Sequence, residues 1–105
     1  MERMIKPDDF KLIANTVTII DVRRKDDLAA SNVALPRAEW KDPAQIDQWI
    51  ADIPKDKDVV IYCVRGGSVS NSVVDRLQSC GVNARFIEGG IDGLKASGGK
   101  VVEKK

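Results

Sequence analysis

The chain contains no histidine, and that absence removes more chemistry than any other feature of its composition. A Ser/His/Asp triad, a Cys/His dyad and every histidine-ligated metal site are excluded. Only two cysteines occur, Cys63 and Cys80, too few for a thiolate zinc site, so neither a metal nor a cofactor is expected. No sign of charge dominates either: 17 basic residues face 16 acidic ones, for a net charge of +1. That balance gives no general attraction to nucleic acid or to an anionic membrane surface. Apolar runs stay well short of the roughly 18 residues of a membrane span, and the start MERMIKPDDF lacks the apolar centre of a signal peptide. The expectation is a cytoplasmic protein with reduced thiols rather than a disulfide.

What remains is a chain of 105 residues, 43% hydrophobic and 31% charged, without repeats or a linker-like stretch. One domain, residues 1–105, with one compact core is expected. Pro7 to Asn15 reads as a short helix with Pro7 and the two acids Asp8 and Asp9 in its first turn. VTIIDV is a β-branched buried strand, RRKDDLAAS one or two helical turns, and NVALPRAEW an extended connection around Pro36. In DPAQIDQWIADIP, Asp42 caps a helix, Pro43 takes its first position, and Ile46, Trp49, Ile50 and Ile53 recur at helical spacing. VVIYCV is the most apolar run and reads as the central strand. SVSNSVVDRLQSCG puts Val69, Val73, Leu77 and Cys80 on one helical face and ends at Gly81. ARFI is a further strand, GGIDGLKASGG a turn and short helix, and KVVEKK a frayed tail. Strands alternating with helices argue for an α/β fold, a parallel sheet with helices on both faces.

The chemistry concentrates in VVIYCVRGGSVS. An apolar strand ends at Cys63, a short loop carries Gly66 and Gly67, and a helix restarts near Ser68. Ligand sites in open parallel sheets lie beyond the carboxyl ends of the strands, which is where Cys63 falls. The glycines let peptide N–H groups of Val64, Arg65, Gly66, Gly67 and Ser68 turn inward as an anion nest, and the helix start adds unpaired N–H groups. Such surroundings favour a thiolate. Arg65 is positioned to hold an oxyanion, and Ser68 to cap the helix or donate to the sulfur. A plain tight turn with a buried cysteine is the alternative. A nucleotide-binding P-loop is contradicted by the spacing and by the lack of a Gly-Lys-Ser/Thr ending.

Three segments in order, IIDVR, CVRGGS and FIEGGIDGLKASGGKV, resemble the rhodanese-like family along nearly the whole chain. The resemblance implies a rhodanese-like three-layer domain, with a mostly parallel five-stranded sheet between helices. It further implies sulfane sulfur transfer. The Cys63 thiolate would take the outer sulfur of thiosulfate, release sulfite and pass the sulfur to cyanide or a thiol, with Val64, Arg65, Gly66, Gly67, Ser68 and Arg23 as substrate-binding residues. The implied partners are a small sulfur donor and a thiol or cyanide acceptor, with a thiol-bearing protein as a further candidate. The related phosphatases and arsenate reductases carry an arginine six residues after the cysteine, where this chain has Val69. A rhodanese-fold carrier, sensor or protein-binding module without turnover is the second reading.

Other residues carry blander expectations. Asp21 and Arg23 suit a structural ion pair beside a strand end better than donor binding. Cys80, on the apolar face of its helix, suits packing better than a resolving thiol for Cys63, from which a helix of about 18 Å separates it. Trp40 and Trp49 suit core or edge packing, and Glu88, Gly89 and Gly90 a turn near the active loop.

Overall fold

The computed structural model describes residues 3–65 and 67–103. Four buried residues, Val59–Tyr62, form β5 at the centre of the main sheet. They alternate between two cores: Val59 and Ile61 face one, Val60 and Tyr62 the other. A strand covered on both faces has no polar side to show, which is why VVIY reads as an unbroken apolar run. On either side lie β2, Thr18–Asp21, and β6, Ala84–Ile87. The edges are β1, Met4–Ile5, beside β6, and β4, Glu39–Trp40, beside β2. All four pairings are parallel, giving the order β1-β6-β5-β2-β4.

Helices α1 (Pro7–Ile13) and α5 (Gly90–Ala96) cover one face through Phe10, Ile91 and Leu94. The opposite face is covered by α3 (Ile46–Trp49) and α4 (Ser68–Ser79) through Trp49, Val73, Val74 and Leu77. The three-layer α/β arrangement expected from the sequence is the one observed. A six-residue helix, α2 (Lys25–Ala30), follows β2. Among the described residues, no helix is long and apolar enough to cross a membrane.

Three local expectations are corrected. The segment after Asp42 is not one α-helix: Pro43–Gln45 and Ile50–Asp52 are 3₁₀ turns flanking α3. The junction residues Gln45 and Trp49, at φ −111° and −115°, sit well outside helical values. Asp42 nevertheless caps the start, accepting the Ala44 N–H at 2.9 Å. The connection around Pro36 contains β3, Val33–Ala34, as well as β4. The tail is not wholly frayed, because β7, Val102–Glu103, pairs antiparallel with β3. Strands of two residues have no period to read; only partners distant in sequence make them strands.

Candidate active site

Cys63 follows directly on β5, and α4 begins five residues later at Ser68. Gly66 lies outside the described residues. The first part of the loop is held by α5. Its Ile91 N–H donates to the Cys63 carbonyl at 3.0 Å and its Asp92 N–H to the Val64 carbonyl at 3.1 Å. In a trans peptide the C=O and the following N–H point in opposite directions. Fixing those two carbonyls toward α5 therefore turns the N–H groups of Val64 and Arg65 away from it. Gly90 makes the approach possible. At φ 62° it occupies the left-handed region, and a Cβ there would overlap the Cys63 oxygen and lie 2.6 Å from the Val64 carbonyl carbon and oxygen. The Glu88–Gly90 turn thus abuts the active loop as its sequence suggested.

The other wall is the start of α4. Gly67 is its N-cap and brings no side chain to satisfy the first amides; the first intrahelical bond runs from Asn71 N–H to the Gly67 carbonyl at 3.2 Å. Ser68 is an exposed first helical residue, so of its two expected roles the cap falls to Gly67 instead. Cys63 itself is 6% exposed and belongs to the core cluster beside α4. Val69, six positions after the cysteine, packs half-buried against that same cluster, leaving no cation where the phosphatase-type loop requires one. Arg65 projects into solvent, with Nε 3.6 Å from an Asp92 carboxylate oxygen. Two exposed partners at that distance bind each other weakly, so the guanidinium is not tied down.

Arg23 forms the structural ion pair with Asp21 that its position at the strand end favoured, which corrects its place among the substrate-binding residues. It is 1% exposed and its guanidinium is engaged: Nη2 lies 2.7 Å from Asp21 Oδ2 and donates also to the Val33 carbonyl, and Nε meets both Asp21 oxygens at 3.0 Å. A cation enclosed in this way orients the chain and has no face left for a donor. The sequence reading missed the third member of this network. Tyr62, next to Cys63, donates its hydroxyl to Asp21 Oδ2 at 3.0 Å, accepts the Leu35 N–H at 3.2 Å, and lies under the Arg23 guanidinium with 5.5 Å to the ring centroid. Burial first, then the Asp21 charge, pushes the Tyr62 phenol well above the ordinary tyrosine range. Burial alone would lower Arg23, but the hydrogen bond and charge of Asp21 outweigh it and the guanidinium holds its proton more tightly than usual. The available signal was register: aligning IID with VIY places Asp21 opposite Tyr62.

Cys80 is corrected too. It is exposed, not packed, because α4 ends at Ser79 and Cys80, at φ −92° and ψ 7°, leaves the helical phase that its spacing from Leu77 assumed. Of the tryptophans, Trp49 is buried and Trp40 sits at the sheet edge with its indole N–H on the Arg23 carbonyl at 2.9 Å.

Known proteins share both the fold and parts of the sequence. A rhodanese-related protein from Thermoplasma volcanium superposes with a TM-score of 0.86 at 24% identity, covering 97% of this chain and 99% of that one. A rhodanese-like domain protein from Staphylococcus aureus gives 0.79 at 26% identity, covering 98% and 99%. The tRNA 2-selenouridine synthase of Shewanella sp. (strain ANA-3) is 33% identical over 51 residues, which is 49% of this chain but only 14% of that protein. Since the family pattern of the rhodanese-like domain also matches residues 6–97, nearly the full length and including the cysteine loop, the chain belongs to the rhodanese-like domain family.

Proposed function

We propose that the protein is a sulfurtransferase that carries a sulfane sulfur as a persulfide on Cys63. The observation that carries the reading is the clamped loop: α5 holds the Cys63 and Val64 carbonyls, so the adjoining N–H groups face away from it, beside the uncapped start of α4. Main-chain donors arranged around one sulfur stabilise an anion without a proton-accepting side chain, as a chain without histidine requires. The Cys63 thiolate attacks the outer sulfur of thiosulfate; a Cys63 S–S bond forms, the donor S–S bond breaks, and sulfite departs with the electron pair. Cyanide or a thiolate then attacks the outer sulfur of the persulfide, and Cys63 leaves as thiolate. Arg65 holds the anionic end of the donor. Within this reading the amides of Val64 to Ser68 form the cradle.

The test is intact mass after incubation with thiosulfate. Wild type is expected to gain the mass of one sulfur atom and lose it on addition of cyanide; Cys63→Ser is expected to gain nothing. A second reading, a sulfur carrier or binding module without turnover, is favoured by the low exposure of Cys63. It predicts an adduct that cyanide and thiols leave in place, or no adduct at all.

A further inference from the structure

An open groove of about 850 Å³ starts at Ser68 and Val69, where the active loop becomes α4. It follows a single stripe of that helix, through Val73, to Arg76. Eight residues of helical rise make this wall about 12 Å long, the span of about four residues of extended chain. Thiosulfate, with five heavy atoms, would leave nearly all of it empty, and the volume lies toward the upper end of the range found for pockets that enclose organic ligands. The floor is apolar, with Ile46 and Val69 packed on the core cluster that contains Cys63.

The charge on its rim leans positive once internal pairs are removed, with two unpaired cations against the one carboxylate of Asp42. Asp75 is paired with Arg3, and Arg76 with Asp47. Asp42 caps the Ala44 N–H. Arg24 and Lys25 are both exposed, and their side chains have no ion-pair or hydrogen-bond partner among the described residues. Asp26 and Asp27, which follow them in α2, do not line the groove. Both cations belong to the segment that follows β2 and line the groove together with α4.

We propose that this groove receives the sulfur acceptor, and that the acceptor is a cysteine in an extended, acidic segment of a partner protein, its carboxylates meeting Arg24 and Lys25. The proposal rests on the Cys63 persulfide. Forming the persulfide places the reactive sulfur about 2 Å beyond Sγ, by one S–S bond, which matters for a cysteine so little exposed. The acceptor thiol loses its proton to solvent, and its thiolate attacks that outer sulfur. The bond to Cys63 Sγ breaks, Cys63 departs as thiolate, and the acceptor carries the persulfide; no oxidant or reductant takes part.

The experiment loads the full chain with thiosulfate, removes excess donor, and follows sulfur transfer by mass spectrometry to two synthetic cysteine peptides of equal length. One has glutamates and the other lysines flanking the cysteine; glutathione is a third acceptor. At low salt the acidic peptide is expected to react at least about tenfold faster than the basic one, the preference fading as salt screens it. In the double variant Arg24→Glu, Lys25→Glu the ratio is expected to approach one or invert, which controls for the intrinsic reactivity of the peptides. Loading followed by equal transfer to both peptides, or a ratio untouched by the charge reversal, overturns the groove proposal alone. Glutathione matching the acidic peptide in rate and in sensitivity to the double variant overturns the protein segment as occupant. Failure to load any sulfur overturns the sulfurtransferase reading itself, and this proposal with it.

Discussion

At Gly90 a left-handed φ of 62° coincides with carbonyl atoms of Cys63 and Val64 occupying the space of a side chain. Either constraint alone favours glycine; together they make the residue the contact through which α5 sets the active loop. Gly90→Ala is therefore expected to act on stability and chemistry at once. The left-handed backbone costs about 1–2 kcal/mol, and relieving the overlap displaces the carbonyls that the Ile91 and Asp92 N–H groups hold. Urea denaturation is expected to show the loss of stability. The folded fraction is expected to take up sulfur from thiosulfate at least about tenfold more slowly than wild type, because reorienting the peptide donors removes charge stabilisation. Gly81→Ala is the control. Its φ of 85° carries a similar backbone cost, but nothing lies within 4 Å of the added atom and the site is remote from the loop in sequence, so stability is expected to fall and sulfur uptake to hold. Uptake by Gly90→Ala at the wild-type rate would show that α5 does not position the loop.

Helix α4 displays how far local sequence reaches. Its start after two glycines, its apolar stripe and its left-handed end at Gly81 are all readable from residue type and spacing. The same holds for β5, whose four apolar residues match its full burial. Strands β1, β4 and β7 were not readable, since each consists of two residues held by backbone partners elsewhere in the chain. Cysteine, glycines and helix start revealed the loop, whereas the clamp from α5 and the enclosure of Arg23 depend on which strands become neighbours. One feature of α4 runs against its stability. Ser70 is fully buried, yet its hydroxyl has no hydrogen-bond partner among the described residues. A buried unpaired polar group costs about 1–3 kcal/mol, and serine is a weaker helix former than alanine. Ser70→Ala is accordingly expected to raise stability by about 1 kcal/mol in urea denaturation. A loss of stability instead would mean that the hydroxyl finds a partner in solution.

The two cores meet at β5, whose last residue, Tyr62, joins the buried Asp21–Arg23 pair, so the protonation of one phenol reports on the folding of the whole molecule. Tyr62 is the only tyrosine in the chain, and burial with the Asp21 charge raises its folded pKa above the unfolded value of about 10. Between those two values the unfolded chain has released the proton while the folded protein keeps it. The unfolded state then binds fewer protons, and stability falls with rising pH, by about 1.4 kcal/mol per pH unit from this group. The contribution is fully present below pH 10 and disappears as pH climbs through the folded value; the tightened proton of Arg23 acts in the same direction at still higher pH. Tyr62→Phe isolates the effect. Without its hydroxyl the variant leaves the Leu35 N–H without that acceptor and takes a donor from Asp21, so it is expected to be about 1–3 kcal/mol less stable at neutral pH. Because it lacks the titrating group, its deficit relative to wild type is expected to shrink above pH 10. In wild type, tyrosinate absorbance is expected to rise together with loss of far-ultraviolet circular dichroism, in a single transition. A phenolate signal appearing near pH 10 while the fold persists would show that Tyr62 is reached by solvent and that the network does not enclose it.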